Sequence, residues 1–146
     1  MWVIFEGLDK AGKTTLEWEF LKATNFKHIV IDRGPAGYVT FDYLFKRFDD
    51  ENENQIAACI SDMINSNNFL VVYCKAPVHV AMKRLEEHNE TCPYDYELAQ
   101  ALYDRSIGVL YQDRKISVVT IDTMNSIEDC VKMIIEKLEE VQKREL

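Results

Sequence analysis

Eight consecutive residues, Gly7-Leu8-Asp9-Lys10-Ala11-Gly12-Lys13-Thr14, have the types and spacing needed to seat a polyphosphate. The glycines let the backbone curl until successive N–H groups point into one concavity, and a helix starting at the loop's end aims its positive dipole there. Lys13 is then in reach of β- and γ-phosphates, and the Thr14 hydroxyl is placed to ligate a Mg²⁺ that bridges them. Gly7, Ala11, Gly12 and Thr15 complete the seat around those two side chains. A tight glycine turn with a salt-bridged lysine would leave unexplained why Lys13 and Thr14 directly follow Gly12.

Such a loop needs a strand before it and a helix after it. Met1 to Glu6 is an apolar run of strand type, and Thr15 to Ala23 places Leu16, Phe20 and Leu21 at helical spacing. His28-Ile29-Val30-Ile31 predicts a fully buried second strand ending at Asp32-Arg33-Gly34-Pro35. Polar groups at the carboxyl end of a buried strand sit where open α/β sheets bind ligands. With Gly34-Pro35 breaking the strand and Ala36-Gly37 delaying the next helix, Asp32 and Arg33 should face a cleft; the plainer alternative is an ion pair that caps the strand.

Tyr38 to Phe48 follows as a half-buried aromatic helix, in which Tyr38 and Phe41 are either core rings or the lining of an acceptor pocket. Asp49 to Asn54 is an acidic surface loop or helix start. Gln55 to Asn65 recurs as a helix with Ile56, Ala57, Ile60, Met63 and Ile64 on one face, and Phe69 to Cys74 is a third buried strand. A helix begins after Pro77 and carries Val78, Ala81, Met82 and Leu85 on its core face to about His88. Asn89 to Asp95 is loop-like, Tyr96 to Leu110 helical, and Ile116 to Ile121 a fourth strand closing on Asp122. A last helix, capped by Ser126, presents Ile127, Val131, Ile134, Ile135, Leu138 and Val141 before fraying into residues 143–146. Four apolar strands separated by helices require a small, mainly parallel sheet covered on both faces, an α/β domain of three α/β/α layers spanning residues 1–146.

The net charge of −8 argues against a protein that coats nucleic acid through a basic face and leaves DNA only the role of a substrate. No apolar run reaches the roughly 20 residues of a membrane span, and the chain opens in a strand rather than a leader, so a cytoplasmic protein is expected. Cys59, Cys74, Cys92 and Cys130 are too far apart for a zinc motif, and free thiols, mostly buried, are expected; His28, His79 and His88 are equally scattered.

Phe5-Glu6-Gly7-Leu8-Asp9-Lys10-Ala11-Gly12-Lys13-Thr14-Thr15, Asp32-Arg33 and Ile121-Asp122 together resemble the thymidylate kinase family of P-loop nucleoside monophosphate kinases. The resemblance spans most of the chain and is specific in the first motif. It implies a P-loop NTPase fold in which Asp9 bonds the acceptor sugar, Asp32 holds Mg²⁺ through water, Arg33 bridges donor and acceptor phosphates, and Thr123-Met124 lies against the adenine of ATP. The family draws a catalytic cation from the phosphate loop or from the lid over ATP. Here the lid segment, Glu86 to Asp95, has no Arg or Lys, which favours Lys10, with Arg84 at the lid's edge either a second cation or a solvated helix charge. The chain departs from the family between its first helix and the Asp-Arg strand. Only about Thr24 to Lys27 stands where a strand, an arginine-bearing loop and a helix with a base-stacking ring are usual, so the acceptor side is rebuilt from Tyr38, Phe41 and Tyr43, completed by a second subunit in a homodimer, or shaped for another acceptor.

Three activities fit these residues. The first is ATP- and Mg²⁺-dependent phosphoryl transfer to a deoxynucleoside monophosphate, giving ADP and the diphosphate. The second keeps ATP but phosphorylates a nucleoside, or a modified base hydroxyl in DNA, with Asp32 as general base. The third is an ATP-binding module without transfer.

Overall fold

The computed structural model describes residues 1–144; residues 145 and 146, part of the expected fraying end, lie outside the described residues. At its centre is β1, Trp2–Glu6, whose alternating side chains point to opposite faces of the sheet. Val3 and Phe5 pack with Leu16 and Phe20 of α1 (Lys13–Ala23) and with Ile134 and Leu138 of α6 (Ile127–Lys143). Ile4 faces the other way, into a core shared by α2 (Pro35–Leu44), α3 (Asp50–Asn65), α4 (Val78–Glu87) and α5 (Tyr96–Leu110). The layers are therefore α/β/α, and the fold is that of P-loop NTPases.

The sheet holds β2 (Ile29–Asp32), β1, β3 (Phe69–Lys75) and β4 (Val118–Asp122) in the order β2-β1-β3-β4, every pair parallel. In register, Phe5 pairs with Asp32, Glu6 with Tyr73 and Lys75 with Asp122. All four carboxyl ends thus open on one edge of the sheet. The phosphate loop leaves from the middle of that edge.

Several expectations are corrected. β2 is an edge strand rather than a fully buried one: Ile29 is 52% exposed, and Val30 and Ile31 are only partly covered. Its apolar run matches that of a central strand, but on its outer side no further strand pairs with it among the described residues. The next helix is not delayed to Tyr38; it starts at Pro35, where proline's fixed φ suits a first turn and its missing N–H is not needed. It ends at Leu44, and Lys46 turns left-handed (φ 53) so that Arg47 N can donate to Asp42 O. Of the two readings of the acidic stretch, the helix start holds: it forms the first turn of α3, with the Asp49 carboxylate accepting from Glu51 N at 2.9 Å. Ala57, Ile64, Met82 and Ile127, assigned to core faces by spacing, are exposed. β4 starts at Val118, two residues late, after a short 3-10 turn at Gln112–Arg114.

All four cysteines are free, Cys74 and Cys130 buried and the other two partly so. The ring of His28 lies against Phe20, 5.9 Å between centroids, and burial lowers its pKa. No helix among the described residues is long and apolar enough to cross a membrane.

The edge position of β2 has a measurable consequence. Ile29→Lys should change stability by no more than about 0.5 kcal/mol, as a surface substitution does, whereas Ile4→Ala one strand inward should cost about 2 to 5 kcal/mol. Urea unfolding midpoints of the two variants test this.

Candidate active site

The phosphate loop depends on two backbone positions. Gly7 has φ 148, and a Cβ there would stand 2.6 Å from the Cys74 carbonyl oxygen of β3, so no larger residue fits. Gly12, at φ 84, is the N-cap of α1. Lys13, Thr14 and Thr15 follow as the first turn of that helix, beside a cavity of about 510 Å³ lined also by Asp9, Lys10, Gly12, Asp32 and Arg33, and walled opposite by Glu90, Thr91, Cys92, Pro93 and Tyr94.

Within it, Lys13 Nζ lies 2.9 Å from Asp32 Oδ1, joining the loop to the end of β2. Lys13 is nearly buried, while the Asp32 side chain remains 60% exposed to the cavity. Behind Asp32 stands Glu17, one helical turn after Lys13. Burial, reinforced by the neighbouring Asp32 carboxylate and partly offset by Lys13, pushes the Glu17 pKa up to about 8. Burial alone would raise Asp32 as well, but hydrogen bonds from Glu17 and Lys13 and the charges of Lys13 and Arg33 bring it below the usual carboxylate range. Asp32 is therefore the ionised member of the pair and Glu17 the protonated one at neutral pH. Sequence reading missed Glu17; its place four residues after Lys13, on the helix face turned to β2, was the available signal.

Arg33 follows in a left-handed conformation, φ 70. Its guanidinium lies 4.2 Å over the ring of Phe41, and Nη2 stands 3.8 Å from Asp9 Oδ1. Phe41 is buried and supports Arg33 from below; it lies outside the phosphate cavity but borders the neighbouring cavity that Tyr38 lines. Tyr38 is exposed and lines a second cavity, of about 580 Å³, between α2, α3 and the β2 edge. That cavity shares Arg33 with the first. Tyr43 is exposed and lines neither.

On the opposite side, Arg84 and Thr123 meet at a third cavity of about 420 Å³, which also has His88, Asn125 and Ile127 on its walls and shares Lys10, Gly12 and Thr15 with the phosphate cavity. Met124 is exposed and outside that lining, its N–H given to Asp122 Oδ1 at 2.9 Å. Arg84 is not a solvated helix charge: Nη1 donates to Lys10 O at 2.7 Å. Tyr96 OH donates to Asp9 O at 2.8 Å, so α4 and α5 both grip the loop backbone from outside. Lys10 itself, at φ 65, reaches across to Glu90, Nζ to Oε1 2.9 Å, and is thus tied to the facing segment in this conformation.

Glu6 is the residue whose importance the sequence concealed. It has no exposed surface, and its carboxylate accepts from Gly34 N at 3.0 Å, Ala36 N at 3.0 Å and Gly37 N at 3.2 Å, from Tyr103 OH at 2.7 Å and from Tyr111 OH at 2.5 Å. Burial raises its pKa and these donors pull against that rise. Burial and the Glu6 charge in turn push both tyrosines well above their ordinary value. Strand alternation turns this carboxylate, at the end of β1, to the α2/α5 face.

No protein-family profile matches the sequence, and no curated protein matches it. Among solved structures, the chain is similar in fold to deoxyadenosine kinase from M. mycoides with bound dATP, at a TM-score of 0.60 and 15% identity over 95% of this chain and 100% of the other. A structure of deoxyadenosine kinase from M. mycoides with the products dCMP and a flexible dCDP superposes with a TM-score of 0.56 at 14% identity, covering 96% and 100%.

The Glu17 shift predicts a pH effect with a definite sign. Its folded pKa, about 8, lies above the ordinary 4.5, so its contribution to stability is complete below pH 4.5 and is lost as pH rises to about 8. In metal-free buffer, wild type should therefore lose melting temperature between pH 5 and 8 relative to Glu17→Gln, and parallel profiles for the two would contradict the assignment.

Proposed function

We propose that this chain transfers the γ-phosphoryl group of ATP, with Mg²⁺, to the phosphate of a deoxynucleoside monophosphate. One observation carries this reading: a cavity walled by the phosphate loop, Asp32 and Arg33 is flanked by two others, each sharing residues with it. The arrangement has room for a donor base on the Arg84 and Thr123 side, a polyphosphate over Lys13, Thr14 and Thr15, and an acceptor on the Arg33 and Tyr38 side. Met124 borders the donor base from outside, and Asp9 is offered to the acceptor sugar.

Phosphoryl transfer puts charge on the moving oxygens, so catalysis is positioning plus neutralisation. Lys13 and Arg33 are fixed cations on two sides of the cavity, held by Asp32 and by the ring of Phe41. Lys10 joins them on leaving Glu90 for the donor's terminal phosphate. Thr14 and Asp32 are hard oxygen donors suited to Mg²⁺, which supplies charge neutralisation when bound.

A phosphate monoester brings an oxygen that is already anionic and needs no general base, whereas a hydroxyl acceptor needs one within hydrogen-bond reach, a role open to Asp32 at the cavity wall. The second reading, transfer to a deoxynucleoside hydroxyl, is supported by the fold likeness to deoxyadenosine kinase.

The test is transfer from γ-labelled ATP with Mg²⁺ to deoxynucleosides, deoxynucleoside monophosphates, and DNA with ordinary and hydroxymethylated bases. Label on monophosphates is expected; label on nucleosides or DNA alone would replace the reading with the second one. ATP binding without transfer to any acceptor would leave a binding module. Lys13→Ala should lower kcat at least about 100-fold, the scale of losing a charge-stabilising donor, with an unchanged far-UV circular dichroism spectrum.

A further inference from the structure

The buried carboxylate of Glu6 takes no part in the chemistry above, yet five donors converge on it from two elements distant in sequence. Three of those donors are the backbone N–H groups of Gly34, the N-cap of α2, and of Ala36 and Gly37 in its first turn, and the helix begins two residues after Arg33. The first four N–H groups of a helix have no partner inside it. Here Gly34 makes no side-chain cap, and Glu6 serves as the cap from β1, with its charge at the positive end of the helix dipole. Tyr111 OH stands between the two parts, 2.5 Å from Glu6 Oε2 and 3.1 Å from Ala36 N.

Arg33 is confined from both sides by this clamp. Its own N–H donates to Phe5 O at 2.8 Å, the residue before Glu6, and the next residue's N–H is bonded to Glu6. Its backbone is held at φ 70, a conformation that costs a non-glycine residue free energy and persists only when its surroundings impose it. The ring under its guanidinium, Phe41, belongs to the same helix that Glu6 anchors. At Gly37 there is no room for a Cβ, because the Arg33 stem, Tyr103 OH and Glu6 Oε1 already surround that position. Backbone, stem and supporting ring of Arg33 are all referred to one carboxylate in the central strand.

We infer that Glu6 is a positioning residue for Arg33: it caps α2 from β1 and thereby holds the Arg33 guanidinium over the phosphate cavity. It touches no substrate and moves no proton. The inference rests on the reading of Arg33 as a phosphate-binding cation, and its test separates the two.

The experiment is a double-mutant cycle of Glu6→Gln and Arg33→Ala, read both as transfer rate and as affinity for tripolyphosphate by calorimetry. A glutamine keeps the size but turns two N–H donors toward a ring of donors. Arg33→Ala is expected to lower kcat about 100-fold. Glu6→Gln should lower kcat about 10-fold in the wild-type background and less than about 2-fold in Arg33→Ala, since residues acting as a unit are non-additive. Tyr111→Phe, which leaves the carboxylate in place and removes one donor, should show a smaller loss with the same dependence on Arg33, and it guards against a Glu6→Gln chain that fails to fold. Equal losses in both backgrounds would overturn the inference and assign Glu6 to general stability. Should Arg33→Ala match wild type in rate and affinity, both the inference and the role of Arg33 fall. Should wild type transfer no phosphate while the affinity cycle is non-additive, the inference stands and the proposed reaction falls.

Discussion

A carboxylate removed from water in the middle of a sheet is costly unless hydrogen bonds replace its hydration, and the structure surrounds Glu6 with five. That requirement shapes the molecule around it. α5 must run close enough for Tyr103 and Tyr111 to reach the carboxylate. α2 must start with only Arg33 and Gly34 between it and β2, and with small residues at Gly34, Ala36 and Gly37, so that its N-terminus can touch β1. The phosphate loop begins at the very next residue, Gly7, and shares that rigid support. Fixing a helix N-terminus and a loop to one buried strand gives a cleft whose two sides cannot drift apart independently.

The cleft itself is an electrostatic assembly of alternating sign. Glu17, protonated, backs Asp32; Asp32, ionised, holds Lys13; Arg33 stands near Asp9; and Lys10 spans to Glu90. Each cation that would meet a phosphate has an acidic neighbour in its place. Pairs partly open to water, Lys10–Glu90 and Arg33–Asp9, cost little to break, and for the nearly buried Lys13 an anionic ligand would replace one carboxylate partner with another charge rather than leave it uncompensated. The chain's net charge of −8 says nothing against this, because the relevant charge is local.

The short connection between α1 and β2 explains the molecule's most unusual surface. With only a turn at Thr24 to Lys27, no further strand among the described residues pairs on the outer edge of β2, beside the cavity bounded by Arg33 and Tyr38. Unpaired strand edges are usually shortened or blocked, and β2 is only four residues long. The surfaces bordering that cavity are those of α2, α3 and the β2 edge.

Much was determined by local sequence. The phosphate loop, the order of strands and helices, and the gathering of Lys13, Asp32 and Arg33 at one edge follow from glycine spacing, apolar periodicity and the rule that parallel strands end together. The caps at Asp49, Asp95 and Ser126 act within one turn of chain and need no tertiary partner. What only the tertiary structure decided are relations between residues far apart. Whether the run Ile29-Val30-Ile31 is central or at an edge depends on what packs beside it. Phe41 lies under Arg33 because α2 begins at Pro35, a start that combines a proline in its first turn with the cap supplied by Glu6, 28 residues before Gly34. The partners of Lys10 and Arg84 likewise come from 80 and 74 residues away. Periodicity tells which side of an element is apolar; only the packed molecule tells which polar groups that side must satisfy, and here that was the difference between a loop motif and a braced site.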